Sequence, residues 1–280
     1  MRKTAGGDVA ERKKIIRTVQ ERFEEEAETY WRYHYGGEAP YPGLAYRRIR
    51  ILEMMGPEPG KVLDVGCGPG ALAEDVVERG GKWIGIDFAE GMLQTARDHL
   101  RKKGVAVVVA RAAAEMLPFR ARQFDTVVAA GVLEYLPGYR GALREMKRVL
   151  RSGGRLILSM PHRDCLARKP YEWLWGHSLW RGLGRRAVTI LNRIHESEAR
   201  KAPVPSYYHR ATKRELEELL RREGFRMNDC AFFHFHLLPA PLEEYFPGPA
   251  RWLGEPLERF SRTRLGILAS GLVVCGVKDV

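Results

Sequence analysis

No part of this 280-residue chain holds an apolar run long enough to cross a bilayer as a helix, so no membrane span is expected. Cysteine is scarce. Cys67, Cys165, Cys230 and Cys275 stand far apart with no C-x-x-C pair, which leaves neither zinc-site spacing nor a dithiol redox motif. A reduced, cytoplasmic setting is the simplest expectation. The opening MRKTAGGDVAERKK lacks the apolar core of a secretory signal, so none is read there. Internal repeats and low-complexity segments are also missing. His234 and His236 alternate along one face of a predicted strand, but no third ligand accompanies them and no metal is expected.

What the chain has in quantity is apolar residues, 45% of the total, enough to build a sizeable core and to exclude wholesale disorder. It also carries a formal net charge of +12. A basic excess points towards nucleic acid, anionic lipid or an acidic substrate without choosing among them.

The hydrophobic spacing organises the chain. Over residues 8–35, Ile15, Ile16, Val19, Phe23 and Ala27 recur at helical intervals, with Asp8 as N-cap and an aromatic tail of Tyr30, Trp31, Tyr33 and Tyr35. GGEAPYPG then breaks the chain, and a second helix is expected over 44–56. From Lys61 short apolar runs alternate with helical patterns: KVLDVG, KWIGID, VAVVVA, FDTVVAAG and RLILSM, separated by helices over 71–79, 90–103 and 140–150. RVLRSGG reads as a helix ended by glycine. A helix capped by Thr212, boxed by Glu215 and closed by Gly224 follows later, then two final strands joined by a proline-rich, partly helical link. Strands alternating with helices imply βαβ units.

VLDVGCGPG, residues 62–70, follows a predicted strand and opens a helix. Gly66, Gly68 and Gly70 let the backbone approach a ligand closely, and a helix N-terminus favours negative charge. Asp64 precedes the glycines, and Asp87 ends the next strand about twenty residues on, where a carboxylate can grip both hydroxyls of a ribose.

These residues resemble motif I and the acidic loop of class I S-adenosylmethionine (SAM)-dependent methyltransferases of the type 11-like, small-molecule kind. The resemblance continues in order through IGIDFAEGML, EMLPF, FDTVVAAGVLEYLP and MKRVLRSGGRLILSMP, covering roughly 61–161, and extends weakly through YYHRATKRELEELLRREGF. It implies an α/β, Rossmann-like, doubly wound seven-stranded and mostly parallel sheet with an antiparallel last strand. An N-terminal helical lid would occupy 1–56, the SAM-binding core 57–161, a variable helical insertion covering substrate 162–202, and the completion of the sheet 203–280. By the same resemblance, backbone at Gly66, Cys67 and Gly68 would lie against the methionine part of SAM, with Asp64 orienting the loop or meeting the SAM amino group through water. Asp87 would take the ribose hydroxyls, Phe88 and Met92 the adenine, and Ala130 and Gly131 the methionine end. Tyr30 would reach SAM from the lid. Where the family often has an acid for the adenine amino group, this chain has Ala113. Water, the side chain of Glu115 or nothing would replace that acceptor, while the amide of Ala114 would still donate to the ring; one lost hydrogen bond costs about 0.5–1.5 kcal/mol.

An NAD-dependent dehydrogenase is the rival for such a fold. Its third glycine falls at Ala71, a permitted variant, so the ordered downstream motifs decide against it. The Asn-Pro-Pro-Tyr type of signature is absent after strand four, which argues against base-flipping amino methylation. AAGVLEYLP resembles enzymes acting on small, quinone-like or lipid-like acceptors. For a general base, His209, His162 and Tyr135 are the candidates, with Glu134 beside the last.

The segment PYEWLWGHSLWRGLGRR falls in the insertion. On a helical projection over 170–194, Trp173, Leu179, Trp180, Leu183, Ile190 and Ile194 share one arc and Arg181, Arg185, Arg186 and Arg193 the other, with Trp175 out of place. Such a face suits a substrate cover, a homodimer contact or peripheral docking on an anionic membrane. The acceptor expected is a small molecule. An RNA methyltransferase using the basic surface and a non-catalytic SAM-binding protein stand as alternatives.

Overall fold

The computed structural model describes residues 5–35, 43–169, 209–235 and 247–279. Residues 170–202 of the expected insertion, and His236, lie outside them.

Two helices come first, α1 (Ala5–His34) and α2 (Gly43–Met55). The first begins earlier than expected, so Asp8 lies inside the helix and is no N-cap. The alternating region follows: β1 (Lys61–Val65), α3 (Ala73–Glu78), β2 (Lys82–Asp87), α4 (Glu90–Lys102), β3 (Val108–Arg111), β4 (Phe124–Ala130), α5 (Arg140–Val149) and β5 (Leu150–Pro161). The chain closes with α6 (Lys213–Arg222), β6 (Phe225–Phe235), α7 (Pro247–Gly254), short 3₁₀ turns and β7 (Ala269–Lys278).

The seven strands form one sheet in the order β3-β2-β1-β4-β5-β7-β6. The contacts β3 to β2, β2 to β1, β1 to β4 and β4 to β5 are parallel. β7 runs antiparallel to both its neighbours, as expected of the last strand.

Alternation along the strands builds the two layers. Leu63, Val65, Val127, Leu156 and Leu158 face α5 and α6, meeting Leu143, Met146, Leu216 and Leu220. Val62, Val128 and Ile157 point the other way, against Ile51 and Met55 of α2, Val76 of α3 and Leu93 and Leu100 of α4. Every one of these residues is buried. Helices on both faces make the doubly wound arrangement.

Element ends show why the local reading worked and where it slipped. Gly104 stands at φ +70° and donates to the Arg101 carbonyl, while the Val105 amide donates back to Leu100, a Schellman stop for α4. Residues 105–107 then connect that closure to β3, which starts at Val108, later than the apolar run VAVVVA predicts. The glycine stop expected in RVLRSGG is not used as one: α5 ends at Val149, and Gly153 and Gly154 lie within β5, where the pairing with β4 shifts register. The Thr212–Glu215 capping box forms as expected, each side chain taking the other residue's main-chain amide.

Candidate active site

β1 and β4 are adjacent, and the strand order reverses between them. A parallel sheet opens its ligand crevice outside the carboxyl ends of the strands at such a point. The loops after β1, β2 and β4 meet there.

The loop after β1 is held from behind. The Gly66 and Cys67 amides both donate to the Ile86 carbonyl of β2, at 2.8 and 2.9 Å. Gly66 has φ +68°, and a Cβ there would collide with Val132. Gly68 has φ +52° and nothing within 4 Å of where its Cβ would stand. One glycine is required by close packing, the other leaves the backbone open on the crevice side. Cys67 is buried, and burial raises its thiol pKa.

Asp87 ends β2 with both carboxylate oxygens engaged: the Gly68 amide donates to one at 2.9 Å and the Ala89 amide to the other at 3.0 Å. Burial pushes its pKa up and these amides pull it back. The acid therefore ties the loop after β1 to the start of α4. Phe88 is half-buried, with Phe23 of α1 edge-on to it at 6.3 Å. Met92 is fully buried in a small cluster with Ala27 and Ala89, beneath Phe23 and Tyr30. Of the adenine-side loop, Ala114 is buried while Ala113 and Glu115 are exposed.

Asp64 is buried at the end of β1, takes a hydrogen bond from the Trp83 indole at 3.3 Å, and is pushed up to about 7 by desolvation. After β4, Ala130 leads into Gly131 at φ +77° and a 3₁₀ turn over Leu133–Tyr135. A Cβ at Gly131 would stand 2.6 Å from Arg47 Nη1 and 3.4 Å from Glu134 Oε1. Arg47, on α2, also donates to the Tyr35 hydroxyl at 3.3 Å, and Asp64, Glu134 and Tyr30 lie within its field. Burial lowers its pKa, but Tyr35, Tyr30 and Glu134 together raise it above the ordinary value. Arg47 has no motif signal, because its place depends on α2 bringing it beside Gly131 in the turn after β4.

The candidate bases fall in two places. His209 donates its main-chain amide to the Glu134 carbonyl at 3.0 Å and its ring Nε2–H to the Leu136 carbonyl at 3.1 Å, with Tyr139 edge-on to the ring. It therefore stands beside Glu134 and Tyr135. Tyr135 meets Phe23 edge-on at 5.3 Å. His162 is buried in the sheet, its Nδ1–H donating to Ala269 at 3.1 Å and its ring against Phe232, and burial lowers its pKa.

α1 lies over this crevice. Glu24 accepts from the Glu90 and Gly91 amides at the start of α4, at 2.8 and 2.6 Å, and Phe23 reaches both Phe88 and Tyr135. The described residues also form a cleft at the amino ends of β1 and β4, around Pro59, Asp125, Arg151 and Arg155. There Asp125 pairs with Arg151 at 2.6 Å and Arg155 binds the Met55 carbonyl. That cleft is at the wrong end of the sheet for the loops above.

A family model described as a methyltransferase domain matches residues 63–158. Those residues span the loops just described, from Asp64 to the 3₁₀ turn after β4. Residues 63–158 are a class I SAM-dependent methyltransferase domain. A ubiquinone biosynthesis O-methyltransferase of Pseudomonas aeruginosa is 39% identical over 108 residues, 37% of this chain and 45% of the relative. One from Pseudomonas fluorescens is 37% identical over 118 residues, 41% and 50%. The chain thus spans about half the length of the curated relatives it matches. Among solved structures, magnesium protoporphyrin IX methyltransferase from Synechocystis with bound S-adenosylhomocysteine aligns at TM-score 0.60 and 16% identity, over 94% of this chain and 100% of the other. A SAM-dependent methyltransferase from Mesorhizobium loti aligns at 0.51 and 20%, over 82% and 96%. At such identities these two show the fold.

The residues of the methyltransferase domain suit SAM. The cofactor carries two positive groups, an ammonium and a sulfonium, and one carboxylate. Around the crevice stand three buried acids, Asp64, Asp87 and Glu134, with the guanidinium of Arg47 among them and that of Arg111 on the Phe88 carbonyl. Among the described residues Glu134 keeps a buried oxygen with no hydrogen-bond partner. A donor set so weighted towards acid fits a ligand of net positive charge. No helix of the described residues is long and apolar enough to cross a membrane.

Proposed function

We propose that the protein transfers the SAM methyl group to a hydroxyl of a small, largely apolar acceptor. The observation that carries this is the acid-rich crevice at the carboxyl ends of β1, β2 and β4. The O-methyltransferase names of the partial relatives support a hydroxyl acceptor. SAM supplies an activated methyl on a good leaving group. The protein's work is then to hold the acceptor oxygen in line and to exclude water.

In this reading the loop at Gly66, Cys67 and Gly68 lies along the methionine part of the cofactor, with Arg47 opposite its carboxylate and Ala130 and Gly131 beside it. Asp87 takes the ribose hydroxyls, retaining its bonds to Gly68 and Ala89 through its remaining lone pairs. Phe88 and Met92 flank the adenine, and Ala113, Ala114 and Glu115 its edge. α1 serves as the lid, bringing Tyr30 to the methionine end and Phe23 and Tyr135 to the acceptor side.

Calorimetry with S-adenosylhomocysteine tests the cofactor half, and transfer of a labelled SAM methyl to a panel of phenols, with RNA as the contrasting acceptor, tests the other. Label on phenols, and none on RNA, is expected. Salt-sensitive labelling of RNA alone would overturn the small-molecule reading.

A further inference from the structure

Glu134 is 4% exposed, and its Oε2, wholly buried, has no hydrogen-bond partner among the described residues. A buried carboxylate oxygen without a donor is unfavourable and calls for an explanation. It sits on the turn that follows β4, beside Gly131, with its own main-chain carbonyl taken by His209. The charged and titratable groups around it are few. Arg47 faces it from α2, Tyr30 from α1, and Asp64 of β1 lies beyond Arg47. The two histidine candidates, His209 beside it and His162 elsewhere, have each committed a ring N–H to a main-chain carbonyl, Leu136 for His209 and Ala269 for His162.

Building on the methyltransferase reading above, we infer that Glu134 is the catalytic base, its free Oε2 accepting the proton of the acceptor hydroxyl. That proton passes to Oε2. The oxygen lone pair forms the bond to the methyl carbon, and the pair of the breaking carbon–sulfur bond stays on sulfur. The products are the methyl ether, S-adenosylhomocysteine and a protonated Glu134, which returns its proton to solvent. Burial supports the assignment, since desolvation pushes this carboxyl up to about 7 while Arg47 and its own amide restrain it. A base poised near working pH is the efficient one. Arg47 orients the carboxylate through charge and keeps a fraction ionised.

The test compares wild type with Glu134→Gln, an isosteric change, in three measurements. S-adenosylhomocysteine affinity stands apart from the base: failure of wild type to bind it would sink the cofactor reading itself, whereas binding within about threefold in both proteins keeps that reading and isolates the base. The second is the infrared carboxyl band that Glu134→Gln removes, expected to titrate between about pH 6 and 8 in the S-adenosylhomocysteine complex. The third is single-turnover methylation of 4-nitrocatechol, expected to fall roughly 100- to 10,000-fold in the variant and to lose its rise with pH. A carboxyl titrating below about pH 5.5 overturns the inference, as do equal non-zero rates with the same pH profile. Where neither protein methylates this phenol, the infrared titration alone decides.

Discussion

Glu24 and Gly91, far apart in the chain, are joined by a 2.6 Å hydrogen bond from the Gly91 amide to the Glu24 carboxylate, and the Glu90 amide completes the pair at 2.8 Å. A carboxylate from α1 thus caps the start of α4, where free amides and the helix dipole both favour negative charge. The same helix covers Met92 and Phe88. α1 is thus seated on the start of α4, directly after the loop that ends β2.

Replacing Glu24 by Ala should therefore cost about 1 kcal/mol of docking energy. The effect should concentrate in α1, with faster amide exchange over residues 5–34 and little change in β1, β4 and β5. Uniform protection across the molecule would remove Glu24 from this role.

Asp87→Ala removes the acceptor for two amides as well as the proposed ribose ligand. S-adenosylhomocysteine affinity should fall by more than about tenfold, and stability by about 1–3 kcal/mol. Calorimetry and a urea titration separate the two effects. Unchanged affinity would place the ribose elsewhere.

Gly66→Ala tests the backbone of the loop after β1. The added methyl meets Val132 and the residue must keep φ +68°. A loss of about 1–3 kcal/mol is expected, measured as a lower urea midpoint, together with weakened cofactor binding.

The buried acids set a pH dependence. Asp64 and Glu134 are both pushed up to about 7, whereas an unfolded chain titrates them near 4. Between about pH 4 and 7 the folded state holds more protons than the unfolded one, so their contribution to stability falls as pH rises and is gone above the folded value. Asp64→Asn, whose amide oxygen can still take the Trp83 indole hydrogen, should therefore gain stability relative to wild type between pH 5 and 8, by about 1–3 kcal/mol. A difference that does not change with pH would show Asp64 to be ionised throughout.

Much of the fold was legible in the chain. Strand runs ending in Asp64 and Asp87, the Thr212–Glu215 box and the glycines after β1 are local signals, and each stands where its physics places it. The slips are local as well. Asp8 lies inside a longer helix, Gly153 serves a strand irregularity and not a helix stop, and β3 starts three residues into its apolar run, after the stop at Gly104. The basic, tryptophan-rich stretch of the insertion lies outside the described residues, so its covering role stays with the chain's pattern.

The sequence alone determined the βαβ order, the glycine loop and the acids that end β1 and β2, because periodicity, positive φ and strand length are properties of neighbouring residues. Tertiary structure decided which side chains share the crevice. Arg47 arrives from α2, Glu24 reaches α4 from α1, and both histidines find main-chain carbonyls. Glu134 is left with an oxygen that no described residue satisfies. Desolvation and long-range juxtaposition arise only once the layers have packed, and no local pattern encodes them.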